Sequence, residues 1–169
     1  LATHRLPILG WSTVPDTSGN VFFEPYSIKA TNDVWEYLVC VFEDTSTRDG
    51  LRGRFDVPQN YVDTANLIVV WTLHTTATGD VEWDFDYRAV GGNDTESLDQ
   101  SGTQETVNAN DTNPSAINER MEISISLTDG NFATGDTVQF ELFRDGTDSG
   151  DTISEAIILH GLFFEYNDI

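Results

Sequence analysis

The stretch Val81-Glu82-Trp83-Asp84-Phe85-Asp86-Tyr87-Arg88-Ala89-Val90 alternates apolar and charged residues. Val81, Trp83, Phe85, Tyr87 and Ala89 fall on one side of an extended chain, and Glu82, Asp84, Asp86 and Arg88 on the other. Successive side chains of a strand point to opposite faces, whereas an apolar helical stripe recurs every three or four residues. The segment therefore reads as a strand with one face in a core and one face in water, as in an antiparallel sheet.

Outward from this strand the same period recurs. Upstream, Leu67 to Thr76 is β-branched and aromatic on both faces, and Thr78, Gly79 and Asp80 supply turn residues that predict a hairpin into Val81. Val34 to Glu43 is apolar on both faces at its centre and fits a buried strand. Leu51, Gly53, Phe55 and Val57 alternate with Arg52, Arg54 and Asp56 in a half-exposed strand that Pro58 ends by removing a donor. Phe22 to Ala30 is an irregular strand interrupted by Pro25. Downstream, 91–118 is a long polar stretch with one short strand near Glu105 to Ala109. Met121 to Leu127 and Val138 to Phe143 alternate again, and Ala156 to Tyr166 is apolar enough to be central in its sheet.

No segment carries a helical period, and the turn signals are spaced as in sandwiches. The expected fold is all-β: an antiparallel jelly-roll-like β-sandwich of about eight strands. Residues 1–20 hold Pro7, Gly10, Pro15 and Gly19 without sustained alternation and are expected to form an extended N-terminal arm, with 21–169 as a single sandwich domain.

Composition constrains the partners. The 29 acidic and 8 basic residues give a formal charge of −21, with Lys29 the single lysine. Such a chain repels nucleic acid, anionic membranes and its own copies unless cations screen it. Two explanations compete for the acid excess: a saline habitat, where the Debye length falls to roughly 3 Å at 1 M salt, and an ordinary acidic surface that binds divalent cations; lysine depletion favours the first. Ten Phe and four Trp exclude a disordered acidic tail. Cys40 lies in an apolar run and reads as a small core residue. Neither an apolar run of about 18 residues nor a basic leader with a cleavage signal is present, so no membrane span or secretory leader is expected.

Few residues suggest chemistry. His4, His74 and His160 lack metal-ligand spacing and read as strand or surface residues. Glu82, Asp84 and Asp86 could set two carboxylates about 5–9 Å apart, as glycoside hydrolysis needs, but three acids on a solvated strand face are ordinary in a chain this acidic. Asp145, Asp148 and Asp151, interleaved with Gly146 and Gly150, suggest a calcium loop; their spacing departs from the EF-hand pattern, and an Asp/Gly turn accounts for them as well. No cofactor is expected beyond such a structural cation. Asn93 and Asn110 each open a glycosylation sequon in the long polar stretch. Leu6, Trp11, Phe22, Phe23, Tyr26 and Tyr61 are candidate interface residues; the aromatic ones could equally form a sugar-binding platform.

The run Phe55-Asp-Val-Pro-Gln-Asn-Tyr61, with Ala65 to Trp71, Trp83 to Gly92, Glu119 to Glu122, Arg144-Asp-Gly146 and Gly150-Asp-Thr152, resembles small β-sandwich proteins encoded in the structural-gene regions of tailed viruses of bacteria and archaea. The resemblance covers about Phe55 to Tyr166 and carries no catalytic motif. It implies a non-enzymatic virion-surface protein, a capsid decoration (cement) protein assembled in the host cytoplasm, with a homotrimer and the major capsid protein as partners. The arm and the long polar stretch would make those contacts. A carbohydrate- or receptor-binding module of a tail or fibre is the alternative, and a glycosidase the third reading.

Overall fold

The computed structural model describes residues 1–13, 21–29, 34–91, 97–98 and 104–168, with side chains omitted for 24–29 and 34–37. Eleven strands follow in order: β1 (Ala2–Pro7), β2 (Ser12–Thr13), β3 (Val21–Lys29), β4 (Val34–Phe42), β5 (Arg48–Asp56), β6 (Asp63–Thr72), β7 (Asp80–Val90), β8 (Glu105–Thr112), β9 (Met121–Ser126), β10 (Thr137–Asp145) and β11 (Ile157–Asp168). A 3₁₀ turn, Asp129–Asn131, lies between β9 and β10. All pairings are antiparallel. One sheet runs β3-β4-β11-β6-β9 with β1 also on β11, and the other runs β2-β5-β10-β7-β8.

The two sheets form a β-sandwich, as the alternation predicts. Leu67, Val69 and Trp71 of β6 and Leu159, Leu162 and Phe164 of β11 meet Trp83, Phe85 and Tyr87 of β7 and Phe140 and Leu142 of β10 in one core. Aromatic rings fill one part of it, with Tyr87 stacked on Phe132 at 5.4 Å and Phe164 on Tyr166 at 5.8 Å. Cys40 lies wholly inside, and burial pushes its thiol up to about 12. The final strand is central, as its apolar sequence predicts: β6 flanks one side of β11, while β4 pairs with Ile157 to Leu159 and β1 with Phe163 to Asp168 on the other.

Three expectations are corrected. The first thirteen residues are not a free arm: β1 pairs with β11 from Ala2↔Asp168 to Pro7↔Phe163, and β2 pairs with β5. Prolines and glycines hid the pattern, because Pro7 sits at the end of an edge strand, where its missing donor costs nothing. The hairpin between β6 and β7 does not form. Asp80 donates its N–H to Thr152 Oγ1 at 2.8 Å and accepts from Thr152 N–H at 2.8 Å, so the chain before β7 is tied to the β10–β11 connection and crosses from one sheet to the other. Finally, the charged face of β7 is not solvated: Glu82, Asp84, Asp86 and Arg88 are each only 6–8% exposed.

Candidate functional site

The outer face of the five-stranded sheet shows why those charged residues are covered. Directly opposed residues of antiparallel strands point to the same side. One row across this face holds Arg54, Gln139 and Arg88; the next holds Ser12, Arg52, Glu141, Asp86 and Thr106; a third holds Gly50, Phe143, Asp84 and Asn108. Gly50 is required there, because a Cβ would lie 2.4 Å from the Phe143 ring.

Arg48 closes one end of the face. Its guanidinium lies 3.9 Å from the centre of the Phe143 ring and donates to Asp84 Oδ2 at 2.8 Å and Asp86 Oδ2 at 3.0 Å. Asp86 also accepts from Thr106 Oγ1 at 2.6 Å. Burial raises the Asp84 carboxyl above its usual range in spite of Arg48, and burial raises Glu82 likewise against its hydrogen bond from Asn110.

The other end opens into a cavity of about 610 Å³. Arg52, Arg54, Arg88, Gln139, Glu141 and Asp86 line it from β5, β10 and β7, with Gly10 and Ser12 along one side and Gln104 also contributing. The wall at Gly10 is fixed from behind: Trp11 Nε1 donates to the Ile8 carbonyl at 2.6 Å, and the Ile8 N–H donates to Leu162 O at 2.9 Å. Gly10 takes φ +80°, the left-handed conformation that favours glycine. Arg52, Arg54 and Gln139 are exposed, and they make no ion pair or hydrogen bond among the described residues. Four of the chain's eight basic residues, Arg48, Arg52, Arg54 and Arg88, stand on this one face. The cavity offers guanidinium and amide donors and the carboxylate acceptors Glu141 and Asp86.

No protein-family model and no curated protein matches the chain. Solved structures do. CBM35 from Paenibacillus barcinonensis superposes with a TM-score of 0.54 at 12% identity, covering 96% of this chain and 97% of that one. An arabinose-bound MgGH51 α-L-arabinofuranosidase matches with a TM-score of 0.52 at 12% identity over 95% of this chain and 24% of its own. A Paenibacillus sp. cycloisomaltooligosaccharide glucanotransferase complexed with cycloisomaltoheptaose matches at 0.51 and 11% identity, over 94% of this chain and 18% of its own. The fold is a jelly-roll β-sandwich. At these identities the likeness is one of fold, and none of the three is a virion protein.

Within this jelly roll the sequence-predicted residues scatter. Asp145, Asp148 and Asp151 do not converge on one point. Asp151 is held by Arg144, which donates from Nε to Oδ2 at 2.9 Å and from Nη2 to Oδ1 at 2.8 Å. Asp145 accepts from Thr147, and Asp148 from the Gly150 N–H at 2.7 Å, the hydrogen bonds of ordinary Asp turns. Among the described residues no group of three His, Cys, Asp or Glu is placed to hold a metal, and His4, His74 and His160 stand on separate segments.

Asn93 lies outside the described residues. Asn110 is on β8, and its Nδ2, the atom to which a glycan would be joined, donates to Gly150 O at 2.9 Å and Glu82 Oε2 at 3.2 Å. The interface candidates separate as well. Tyr61 is a core residue against Phe132 and Phe164, and burial pushes its hydroxyl up to about 12. Leu6 and Trp11 pack on the same core. Phe22 packs on Val39, Val41 and Ile158 in the other sheet, and its neighbour Phe23 is 41% exposed. The side chain of Tyr26 lies outside the described residues. Among the described side chains, Trp11 and Tyr61 pack on the main core and Phe22 on a separate cluster, so these three do not form one platform.

The residues that do assemble, Arg52, Arg54, Arg88, Gln139 and Glu141, were read from sequence only as solvated positions. Their signal was arginine on strand faces of a chain with so few bases.

Proposed function

We propose that this chain is a non-catalytic carbohydrate-binding domain whose ligand lies on the outer face of the five-stranded sheet. The observation that carries the reading is the cavity of about 610 Å³ on that face, where the exposed side chains of Arg52, Arg54 and Gln139 make no ion pair or hydrogen bond among the described residues. Its volume falls in the range of ligand sites, roughly 300–1,000 Å³. The fold it shares with CBM35 supports the assignment, as does a sandwich rigid enough to hold polar groups in fixed positions.

The acids of β7 do not favour a glycosidase, because each is already bonded within the fold. Asp84 and Asp86 are both bonded to Arg48, and Glu82 to Asn110, so the acids of β7 serve the fold. Of the two segments expected to make subunit contacts in a virion protein, the N-terminal one has residues 2–7 and 12–13 paired as strands within the domain.

Affinity electrophoresis and calorimetry against a panel of soluble polysaccharides test the proposal. Retardation by at least one glycan, without release of reducing sugar, is the expected result. Failure of every polysaccharide to bind at both low and multimolar salt would overturn it.

A further inference from the structure

Resting on that reading, we infer that the cavity takes an anionic glycan, a chain whose sugar rings carry an oxyanion, and that Arg54 and Arg52 grip the oxyanion. The row Arg54, Gln139, Arg88 contains no carboxylate. Arg54 and Arg52 stand two positions apart on one face of β5, about 7 Å apart at the backbone, and both are exposed, so an oxyanion beside Gln139 meets a donor from each. A guanidinium presents a planar fork that matches a carboxylate or sulfate edge by edge.

The balance of charge supports this. Three guanidiniums line the cavity against two carboxylates, Asp86 and Glu141, and Asp86 is already bonded to Arg48 and Thr106. In a chain of net charge −21, a site with an excess of cations is where an anion can approach. The chemistry absent from the face points the same way. Tyr87 and Phe140 border the cavity but are 2% and 3% exposed, and Arg48 covers the Phe143 ring, so among the described residues the apolar side of a neutral sugar finds no exposed aromatic surface to stack on.

The test uses the intact chain and three probes: polygalacturonate, dextran sulfate and unmodified dextran. Each is titrated at about 0.1 M and about 1 M NaCl, conditions that differ in screening. The variants are Arg54→Gln, Arg52→Gln, Glu141→Gln and, as a control remote from the cavity, Arg120→Gln, with thermal unfolding of each to verify folding. Expected are tighter binding of a charged probe than of dextran, about tenfold weaker binding in Arg54→Gln and Arg52→Gln, as for loss of a hydrogen bond to a charged group, tighter binding in Glu141→Gln, and no change in Arg120→Gln. Preference for polygalacturonate identifies the oxyanion as carboxylate, and preference for dextran sulfate as sulfate. Dextran bound as well as the charged probes, with both arginine variants unchanged, would overturn the anionic assignment and leave carbohydrate binding standing; no binding of any glycan would overturn both.

Discussion

Asp111 is a carboxylate that the fold keeps partly from water. It accepts from Trp71 Nε1 at 2.7 Å, a bond that ties β8 of one sheet to β6 of the other, and burial raises its pKa. A raised carboxyl means that folding favours the protonated form. Its contribution is therefore fully present below the ordinary carboxylate range and is lost as pH rises through the raised value. Asp111→Asn cannot ionise. Its Tm relative to the parent should accordingly become more favourable by roughly 2–4 °C between about pH 4 and pH 7; thermal unfolding at both values measures this, and a pH-independent difference would count against it. The same group shows the limit of reading residues from sequence. Alternation correctly assigned each side chain of β7 to a face, yet it could not say what lay above that face. The partners of Asp84 and Asp86 come from Arg48, more than thirty positions away, and no local pattern encodes that meeting.

At the scale of elements, strand positions were legible wherever two faces differed in polarity, as in β7, β9 and β10. Pairing was less so. A turn between two strands suggests a hairpin, but β6 and β7 each bury both faces and take partners from distant parts of the chain. β1 and β2 were hidden for another reason: they are short edge pieces broken by Pro7 and Gly10. The β10–β11 connection owes its shape to one side chain. Arg144, 2% exposed, donates to Asp151 and to the carbonyls of Glu43, Ile153 and Glu155, so it joins the β4–β5 and β10–β11 connections at one end of the sandwich. Asp151→Ala leaves that buried guanidinium with only the longer contact to Asp44 Oδ1, at 3.4 Å, as a carboxylate partner. The expected loss is about 3–5 kcal/mol, seen as a lower denaturation midpoint in urea. An unchanged midpoint would show that the carbonyls and Asp44 suffice.

For the whole molecule, composition sets the net charge and says little about the site. A net charge of −21 works against compactness through self-repulsion, and salt relieves it. Tm should therefore rise by several degrees between about 0.05 M and about 1 M NaCl, over which the Debye length shortens to roughly 3 Å. A flat profile in a salt series would show that the carboxylates do not oppose folding. Averaging over the chain also concealed the arginines of the outer face, because a site is a local departure from the mean.

The pairing of β1 with β11 has a mechanical consequence. Ala2 lies opposite Asp168 and Pro7 opposite Phe163, so pulling the described ends apart loads the ladder bonds one after another, as a zipper opens, instead of all together in shear. Such an arrangement yields at low force. The first strand to peel would take with it the Arg5 bonds to Glu122 and Glu165, and then the Ile8, Gly10 and Ser12 segment that walls the cavity. Tension along the chain would thus open the wall that Gly10 and Ser12 give the cavity.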